Sequence, residues 1–168
     1  LTQASRSIIF LYPHPFWVAI GAHFVLKGDR LSALKSLGLV LAFSGLVAVF
    51  SVSSTGLPAG YWIGDLMEVG AAVFWAATTV YIKKMLQKKS FSHYQTLHAQ
   101  LLYSIPVLAL GSLLFEGSSA LHLSWAVAAA LAYQCVVVAF FSYVLWFWMI
   151  SQFPVSTLTA FTFLAPLF

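Results

Sequence analysis

Charged residues are scarce in this sequence. Eight lysine and arginine residues and four aspartate and glutamate residues make up 7% of 168 positions, while 61% of the residues are hydrophobic. Soluble domains carry about 25% charged residues, so this chain has too few to cover a surface that faces water. The composition excludes a soluble globular domain and predicts an all-α integral membrane protein, since the backbone of each helix satisfies its own hydrogen bonds in lipid.

Cysteine and catalytic motifs are equally scarce. Cys135 is the single cysteine and lies in an apolar run, which excludes an internal disulfide framework. The sequence contains neither a G-x-S-x-G motif nor a P-loop, which argues against a hydrolase and an ATPase. His93 and His98 resemble half of a histidine box, but the other histidines are scattered along the chain. We therefore expect no enzyme activity, no cofactor and no metal.

Apolar segments predict about six membrane-spanning helices. The segment Gly64–Lys84 organises the chain, because Asp65 and Glu68 open it, two lysines close it, and no charged residue lies between. The uncharged part covers roughly 20 Å as a helix, and with its flanks the segment can cross a bilayer. The other predicted spans are residues 4–26, 36–51, 95–115 and 125–153, and a last segment that opens at Pro154.

Positive residues alternate between the loops. Residues 27–35 contain three of them, residues 52–63 contain none, and residues 83–94 contain four lysines. The positive-inside rule therefore places the two basic loops in the cytosol, and we expect a bacterial inner (plasma) membrane. The net charge of +4 is explained in this way and does not indicate a nucleic-acid partner.

The first and last spans share a pattern in opposite orientations. Ser5, Phe10 and Pro15 recur at a constant offset as Ser156, Phe161 and Pro166. Five crossings separate the two segments, and an odd number inverts the direction of the second. This arrangement is typical of the inverted repeats of secondary transporters.

Three stretches together resemble a known family. They are ASRSIIFLYPHPFWVAIGAHFVLKGDRL with GLVLAFSGLVAVF, then GDLMEVGAAVFWAATTVYIKK, and YQCVVVAFFSYVLWFWMISQFPVSTLTAFTFLAPLF. Their order and spacing resemble the EamA-type repeats of the drug/metabolite transporter (DMT) superfamily. The chain departs from the family pattern at Asp29–Arg30, where Glu-Arg is usual, and at Glu68, where a small or aliphatic residue is usual.

The resemblance implies ten helices in two inverted five-helix repeats. Residues 1–52 would end the first repeat with two helices, residues 53–63 would be an external linker, and residues 64–168 would begin the second repeat with three helices and a truncated fourth. Because the chain begins at Leu1 and stops within an apolar run, we interpret it as a piece of a longer protein that lacks the first three helices and the last.

The function implied by the resemblance is secondary transport by alternating access. The partners would be the lipid bilayer, a small metabolite such as an amino acid or a drug-like compound, and a coupling proton. The alternative is a non-transporting scaffold or sensor with the same helices. A transporter needs a polar cavity connected to solvent, whereas a scaffold can be packed solid.

Polar and aromatic residues within the spans are the candidate substrate-binding residues. Amides without partners are costly in hydrocarbon, so Gln100 and Gln134 should face protein or a cavity. Three residues surround the Pro13–Pro15 break, where discontinuous helices expose backbone. The alternative for each is an interhelical contact or a place in the core. The candidates are Tyr12, His14, Trp17, Trp75, Thr79, Gln100, Tyr103, Gln134, Ser142 and Trp146.

Two charged residues and a stripe of small residues carry further predictions. Glu68 is the candidate proton-coupling residue, or else it completes a D-x-x-E capping box with Asp65. Arg6 should snorkel to headgroups or contact an anionic substrate group. The stripe Gly38, Ala42, Gly45 and Ala48 favours close helix packing within one chain or in a homodimer.

Overall fold

Every regular element in the described part of the chain is a helix. A computed structural model describes residues 4–50, 60–88, 92–115 and 124–167, and these residues contain no strand. Most of the predicted external linker lies outside them, as do the side chains of Ser5 and Pro166 in the proposed repeat pattern. Five described helices are long and apolar enough to cross a membrane: Arg6–Val25, Ala33–Phe50, Tyr61–Gln87, His93–Phe115 and Trp125–Gln152; Val155–Ala165 is a shorter apolar helix. The all-α membrane class is thus confirmed.

The described residues form two compact units. Unit 1 contains those up to Met85 and those from Phe153 onward, and unit 2 contains those of Leu86–Gln152. Unit 1 holds α1 (Ala4–Leu11), α2 (His14–Val25), α3 (Ala33–Phe50), nearly all of α4 (Tyr61–Gln87), α8 (Val155–Ala160) and the 3₁₀ helix Phe161–Leu167. Unit 2 holds α5 (His93–Phe115), α6 (Trp125–Tyr133), the π-helix Gln134–Ser142 and α7 (Tyr143–Gln152).

The first span is broken at its prolines. The first helix ends at Leu11, and α2 begins at His14. Neither Pro13 nor Pro15 has an N–H, so the carbonyls four residues earlier lose their usual helical donors. The N–H of Phe16 donates to the Pro13 carbonyl at 2.9 Å and closes the first turn of α2. The predicted bend is confirmed, and it places an imidazole at the point where the helix restarts.

The core of unit 1 joins α2, α3 and the 3₁₀ helix. Leu39 and Leu46 are seven residues apart on one face of α3, and both are buried in a cluster with Ala19 and Phe163. The Phe16 ring meets the Phe43 ring edge to face, with centroids 5.6 Å apart, a favourable geometry for aromatic pairs. The large residues of α3 therefore make its contacts.

The predicted small-residue stripe of α3 makes no contact of this kind. Gly38, Ala42, Gly45 and Ala48 are all exposed, and a Cβ added at either glycine would meet nothing within 4 Å in the described residues. The prediction of close packing through this stripe is therefore wrong within unit 1. The reason is that the leucine and phenylalanine face buries more apolar surface, and burial of apolar surface stabilises in proportion to its area.

The fourth helix begins earlier than predicted. Gly60 has φ +79°, a left-handed conformation that glycine adopts without strain, and the helix starts at Tyr61. Asp65 therefore lies inside the helix and not at its N-cap. The interpretation of Asp65 and Glu68 as a capping box is wrong, because such a box needs the first of its two residues at the helix boundary.

The start of α8 is held by three side chains from other parts of unit 1. Asp29, which is 2% exposed, accepts a hydrogen bond from the Ser156 N–H at 3.0 Å and another from the Ser156 hydroxyl. The Lys35 ammonium donates to the same carboxylate at 3.0 Å. Lys83 donates to the Phe153 carbonyl at 3.1 Å. We call these contacts the α8 clamp.

The clamp replaces a local cap. Pro154 occupies the N-cap position of α8 and makes no side-chain cap hydrogen bond, so the first N–H groups of the helix need a partner from elsewhere. Asp29 supplies it from the loop between α2 and α3, and its negative charge suits the positive end of the helix dipole. The clamp thereby fixes the helix that carries Thr159 and leads to Thr162.

We expect Asp29→Ala to lower the free energy of unfolding by roughly 2 kcal/mol, because it leaves the Ser156 N–H and Lys35 without their charged acceptor. Thermal unfolding of the protein in detergent, followed by circular dichroism, measures the change. Arg30→Ala is the control, since Arg30 is exposed in the same loop. Equal melting temperatures for the two variants would contradict the clamp.

The clamp should also weaken in acid. Burial by itself raises the pKa of Asp29, but the hydrogen bonds from Ser156 and from Lys35 outweigh it, so the pKa lies below its ordinary value of 3.8. A carboxylate with a lowered pKa contributes its full stability above the ordinary pKa and loses it as the pH falls through the lowered one. The stability difference between Asp29→Ala and the unmodified protein should therefore shrink below pH 3.8, as melting curves over a pH series would measure.

Candidate functional site

A buried imidazole lies at the centre of unit 1. His14 is 1% exposed, and its ring stacks on the ring of Trp75 with centroids 4.0 Å apart and planes 9° from parallel. The Tyr12 ring approaches it edge-on at 6.3 Å. On the other side, His14 Nε2 lies 3.5 Å from the hydroxyl of Thr162. Residues of α2, α4 and the 3₁₀ helix thus meet at the point where the first span is broken.

Hydrogen bonds around Thr162 assign the tautomer of His14. The Thr162 hydroxyl donates its proton to the Thr159 carbonyl at 2.6 Å, so towards His14 this oxygen can only accept. Nε2 is therefore the protonated nitrogen, and Nδ1 carries a lone pair. Nδ1 is buried and has no hydrogen-bond partner among the described residues. His14 Nδ1 is therefore a buried acceptor without a partner among the described residues, although buried polar groups are normally hydrogen-bonded.

The other predicted site residues of unit 1 are either partly exposed or hydrogen-bonded within their own helix. Trp17 and Trp75 are each 42% exposed. Thr79 is buried, but its hydroxyl donates to the Trp75 carbonyl at 2.9 Å, so its hydrogen-bonding capacity is used within its own helix. Of the five predicted residues in this unit, the structure brings Tyr12, His14 and Trp75 into direct ring contact.

A cavity of about 420 Å³ lies beside this group, between α2 and α4. The two helices approach closely at its wall, since a Cβ added at Gly21 would lie 3.2 Å from Val80 Cγ2. Trp17 lines it, whereas His14 does not. Tyr81 and Lys84 carry the polar side-chain groups of its lining, which is otherwise apolar: Trp17, Ile20, Gly21, Val25, Val73, Ala76, Ala77 and Val80.

The five predicted site residues of unit 2 remain largely outside its packed interior. Phe147 and Ile150 of α7 are buried, as is Leu97 of α5. In contrast, Tyr103 is 74% exposed, Trp146 is half-buried, and the remaining three predicted residues are exposed: Gln100, Gln134 and Ser142. Within this unit the two glutamines do not face protein as expected.

A π-helix determines the positions of Gln134 and Ser142 around their helix. Gln134 begins it and Ser142 ends it, and the Ser142 hydroxyl donates to the Val137 carbonyl five residues earlier at 3.0 Å. Counting faces at 3.6 residues per turn fails across such a segment. The two polar residues therefore mark the ends of an unusual helical stretch and are not stacked on one α-helical face.

Two polar contacts join the beginning of α1 to α4. Arg6 forms an ion pair with Asp65, and the Ser7 hydroxyl donates to Glu68 Oε1 at 2.5 Å. The Arg6 guanidinium also lies 4.9 Å from the Tyr61 ring centroid, within range of a cation–π interaction. Arg6 thus has a carboxylate partner within unit 1, and its contact with headgroups or with an anionic substrate group stays a prediction. Glu68 keeps its predicted proton-coupling role as an untested hypothesis.

Sequence reasoning missed Thr159, Thr162 and the clamp residues Asp29 and Lys83. The two threonines are three residues apart in a short helical segment, a spacing that places them on one face. That spacing was a usable signal. For Lys83 the sequence offered only a position in a basic loop, which the positive-inside rule already explained. Asp29 was noted only as a departure from the Glu-Arg of the family pattern.

We expect a double-mutant cycle on Arg6 and Asp65 to show coupling. Arg6→Gln and Asp65→Asn should each lower the melting temperature of the protein in detergent, since each removes the charge–charge contact between the half-buried Arg6 and the buried Asp65. The double variant should melt at a higher temperature than the two separate losses imply. Additive losses would show that the pair contributes nothing to holding α1 against α4.

Comparison with known proteins agrees with these features. The model of the EamA-like transporter family matches residues 62–168. An uncharacterized transporter of Bacillus subtilis (strain 168), YoaV, is 23% identical over 154 residues, which are 92% of this chain and 52% of that protein. A second transporter of the same strain, YvbV, also uncharacterized, is 30% identical over 140 residues, or 83% of this chain and 45% of that protein.

A third relative comes from an archaeon. An uncharacterized transporter of Archaeoglobus fulgidus is 25% identical over 169 residues, which are 99% of this chain and 56% of that protein. The chain spans about half the length of the curated relatives it matches, and no solved structure matches it. Because the family model covers more than half of the sequence, this chain belongs to the EamA-like transporter family.

Proposed function

We propose that this chain is part of a secondary transporter that moves a small metabolite, such as an amino acid or a drug-like compound, by alternating access. The observation that carries the proposal is the buried acceptor at His14, next to a broken membrane span. A polar group without a partner is costly in hydrocarbon, and ionisable residues inside spans mark substrate and ion pathways. A scaffold has no need of such a group and would be more stable with an apolar side chain there.

In unit 1, substrate would bind near the proline break. Tyr12, His14 and Trp75 offer aromatic faces and one hydrogen-bond acceptor, and Trp17 borders the cavity between α2 and α4. Aromatic walls with a few polar groups are the usual composition of small-molecule sites. Thr79 would contribute through its contact with the backbone of Trp75, which fixes the helix turn beneath the indole.

In unit 2, substrate contacts would come from the residues at the π-helix and on α5. Gln134, Ser142 and Trp146 lie in or next to the π-helix, and Gln100 and Tyr103 lie on α5. An exposed amide is favourable only towards water, another polar group or a ligand, which supports a wet surface at Gln100 and Gln134. Single π-helical stretches occur frequently at functional sites, in line with this assignment.

The orientation of the helices in the membrane is inferred from the positive residues of the loops. We propose that the basic loops 27–35 and 83–94 face the cytosol of a bacterial cell. The α8 clamp supports one part of this assignment, because it joins Asp29 and Lys35 of the first loop to Lys83 at the edge of the second. Segments on opposite sides of a membrane could not meet in this way. The Arg6–Asp65 pair would then belong to the external side.

A transport assay on the natural full-length gene product tests the proposal. We expect sealed vesicles that contain the protein to exchange at least one compound in a screen of labelled amino acids and drug-like cations. Gln134→Ala should weaken apparent affinity for that compound about fivefold, since a lost hydrogen bond to a ligand costs about 1 kcal/mol. Gln152→Ala is the matched control, because Gln152 is also exposed but lies at the end of α7.

Two outcomes would contradict this assignment. Equal affinities for the two variants would exclude Gln134 from the site while leaving the transporter in place. A protein that exchanges no compound in the screen, although it is folded and inserted in the vesicles, would contradict the transport proposal and favour a scaffold or a sensor.

A further inference from the structure

We propose that His14 is the proton-coupling residue of this transporter. Its Nδ1 takes up a proton from water when the site opens and returns the proton when the site packs again. This inference rests on the proposed function and adds the coupling ion and the residue that carries it. It differs from the expectation drawn from the sequence, which assigned the role to Glu68.

The first step is that His14 is already arranged as a base. Because the Thr162 hydroxyl donates to the Thr159 carbonyl, Nε2 keeps its proton and Nδ1 has a free lone pair. Uptake forms one N–H bond at Nδ1 and gives an imidazolium, and release breaks the same bond. The proton comes from water and returns to water, so no other reactant is needed.

The second step is that the residues around His14 suit a neutral imidazole better than a charged one. Tyr12 faces it from the turn before α2, Trp75 from α4 and Thr162 from the 3₁₀ helix. Of these three, Tyr12 alone can titrate, and none is a carboxylate. An N–H formed at Nδ1 would therefore be a buried donor with no acceptor among the described residues, which costs free energy.

Two charged groups of α4, Glu68 and Lys83, make contacts with other residues. Glu68 lies two turns before Trp75, about 10 Å along the helix axis, and accepts the hydrogen bond of Ser7. Lys83 lies eight residues after Trp75 and donates to the Phe153 carbonyl. Neither group is placed to compensate a charge on His14 in the packed site.

The third step links protonation to conformation. A neutral His14 favours the packed site, whereas a protonated His14 favours any arrangement in which water reaches Nδ1. A ligand that binds two states unequally shifts the population towards the state it binds better, and here the ligand is the proton. The indole of Trp75 reduces the cost of the charged intermediate, because an imidazolium is attracted to an aromatic face.

Two transport measurements on the natural full-length protein separate coupling from substrate binding. Accumulation of labelled amino acids driven by a pH gradient requires proton coupling, whereas exchange of the same amino acids at equal pH on both sides does not. We expect His14→Gln to lower gradient-driven accumulation about tenfold more than it lowers exchange, because a loss of substrate binding appears in both measurements and a loss of coupling appears in accumulation alone. His98→Gln is the control, since His98 is exposed on α5, and should leave both measurements unchanged.

Glu68→Gln is the competing variant. The proposal expects it to retain gradient-driven accumulation, apart from any loss that appears equally in exchange. It is overturned if Glu68→Gln abolishes accumulation while His14→Gln retains it, or if His14→Gln reduces accumulation and exchange equally. Exchange without any effect of the pH gradient in the unmodified protein would overturn proton coupling and leave the proposed transport function intact.

A fluorescence measurement tests the protonation of His14 without any substrate. In a variant that keeps Trp75 as its only tryptophan, protonation of the stacked imidazole should quench the indole fluorescence reversibly in an acid titration. Because the packed site disfavours the charged ring, the titration continues well below about pH 6.5, the midpoint of a free imidazole. His14→Gln in this background should remove the transition. No transition, or the same transition after His14→Gln, would overturn the proposal even if the labelled amino acids are not transported.

Discussion

The absence of water in the bilayer core is the constraint on which this structure depends. Each polar side chain in a span must find its partner inside the protein or remain at a cost. Unit 1 meets this requirement at two levels. The Arg6–Asp65 and Ser7–Glu68 contacts join α1 to α4, and the α8 clamp joins α8 to α4 and to the loop between α2 and α3. Between the two levels, His14 Nδ1 has no partner among the described residues.

The proline break is what brings this unsatisfied group into the interior. With two prolines in three residues, the first span cannot continue as one helix, and α2 restarts at His14. The imidazole is then enclosed by Trp75 on one face and approached by Thr162 at its edge. The α8 clamp has a long-range effect here, because it fixes the start of the segment that carries Thr162. The contacts of the α8 clamp thus help to determine the surroundings of the His14 imidazole.

Much of this fold could be predicted because its causes are local. Hydropathy located the spans, the prolines located the break, and aromatic residues near that break indicated a site. The errors arose where a local pattern had more than one partner available. Asp65 was interpreted as a helix cap, and the stripe from Gly38 to Ala48 was interpreted as a contact face within the chain. In each case the structure places a different residue in contact: Asp65 pairs with Arg6, and α3 packs through its leucines and phenylalanines.

The sequence by itself determined that the protein is a helical membrane protein, because apolar composition and the need for internal backbone hydrogen bonds leave few other solutions. It also determined where the first span breaks, since Pro13 and Pro15 act on their own helix. Only the tertiary structure decided the polar partners. Asp29 and Ser156 are 127 residues apart in the chain, and His14 and Thr162 are 148 apart. No local pattern encodes such pairings, because they depend on which helix faces pack together, and packing is settled by the shape of the whole unit.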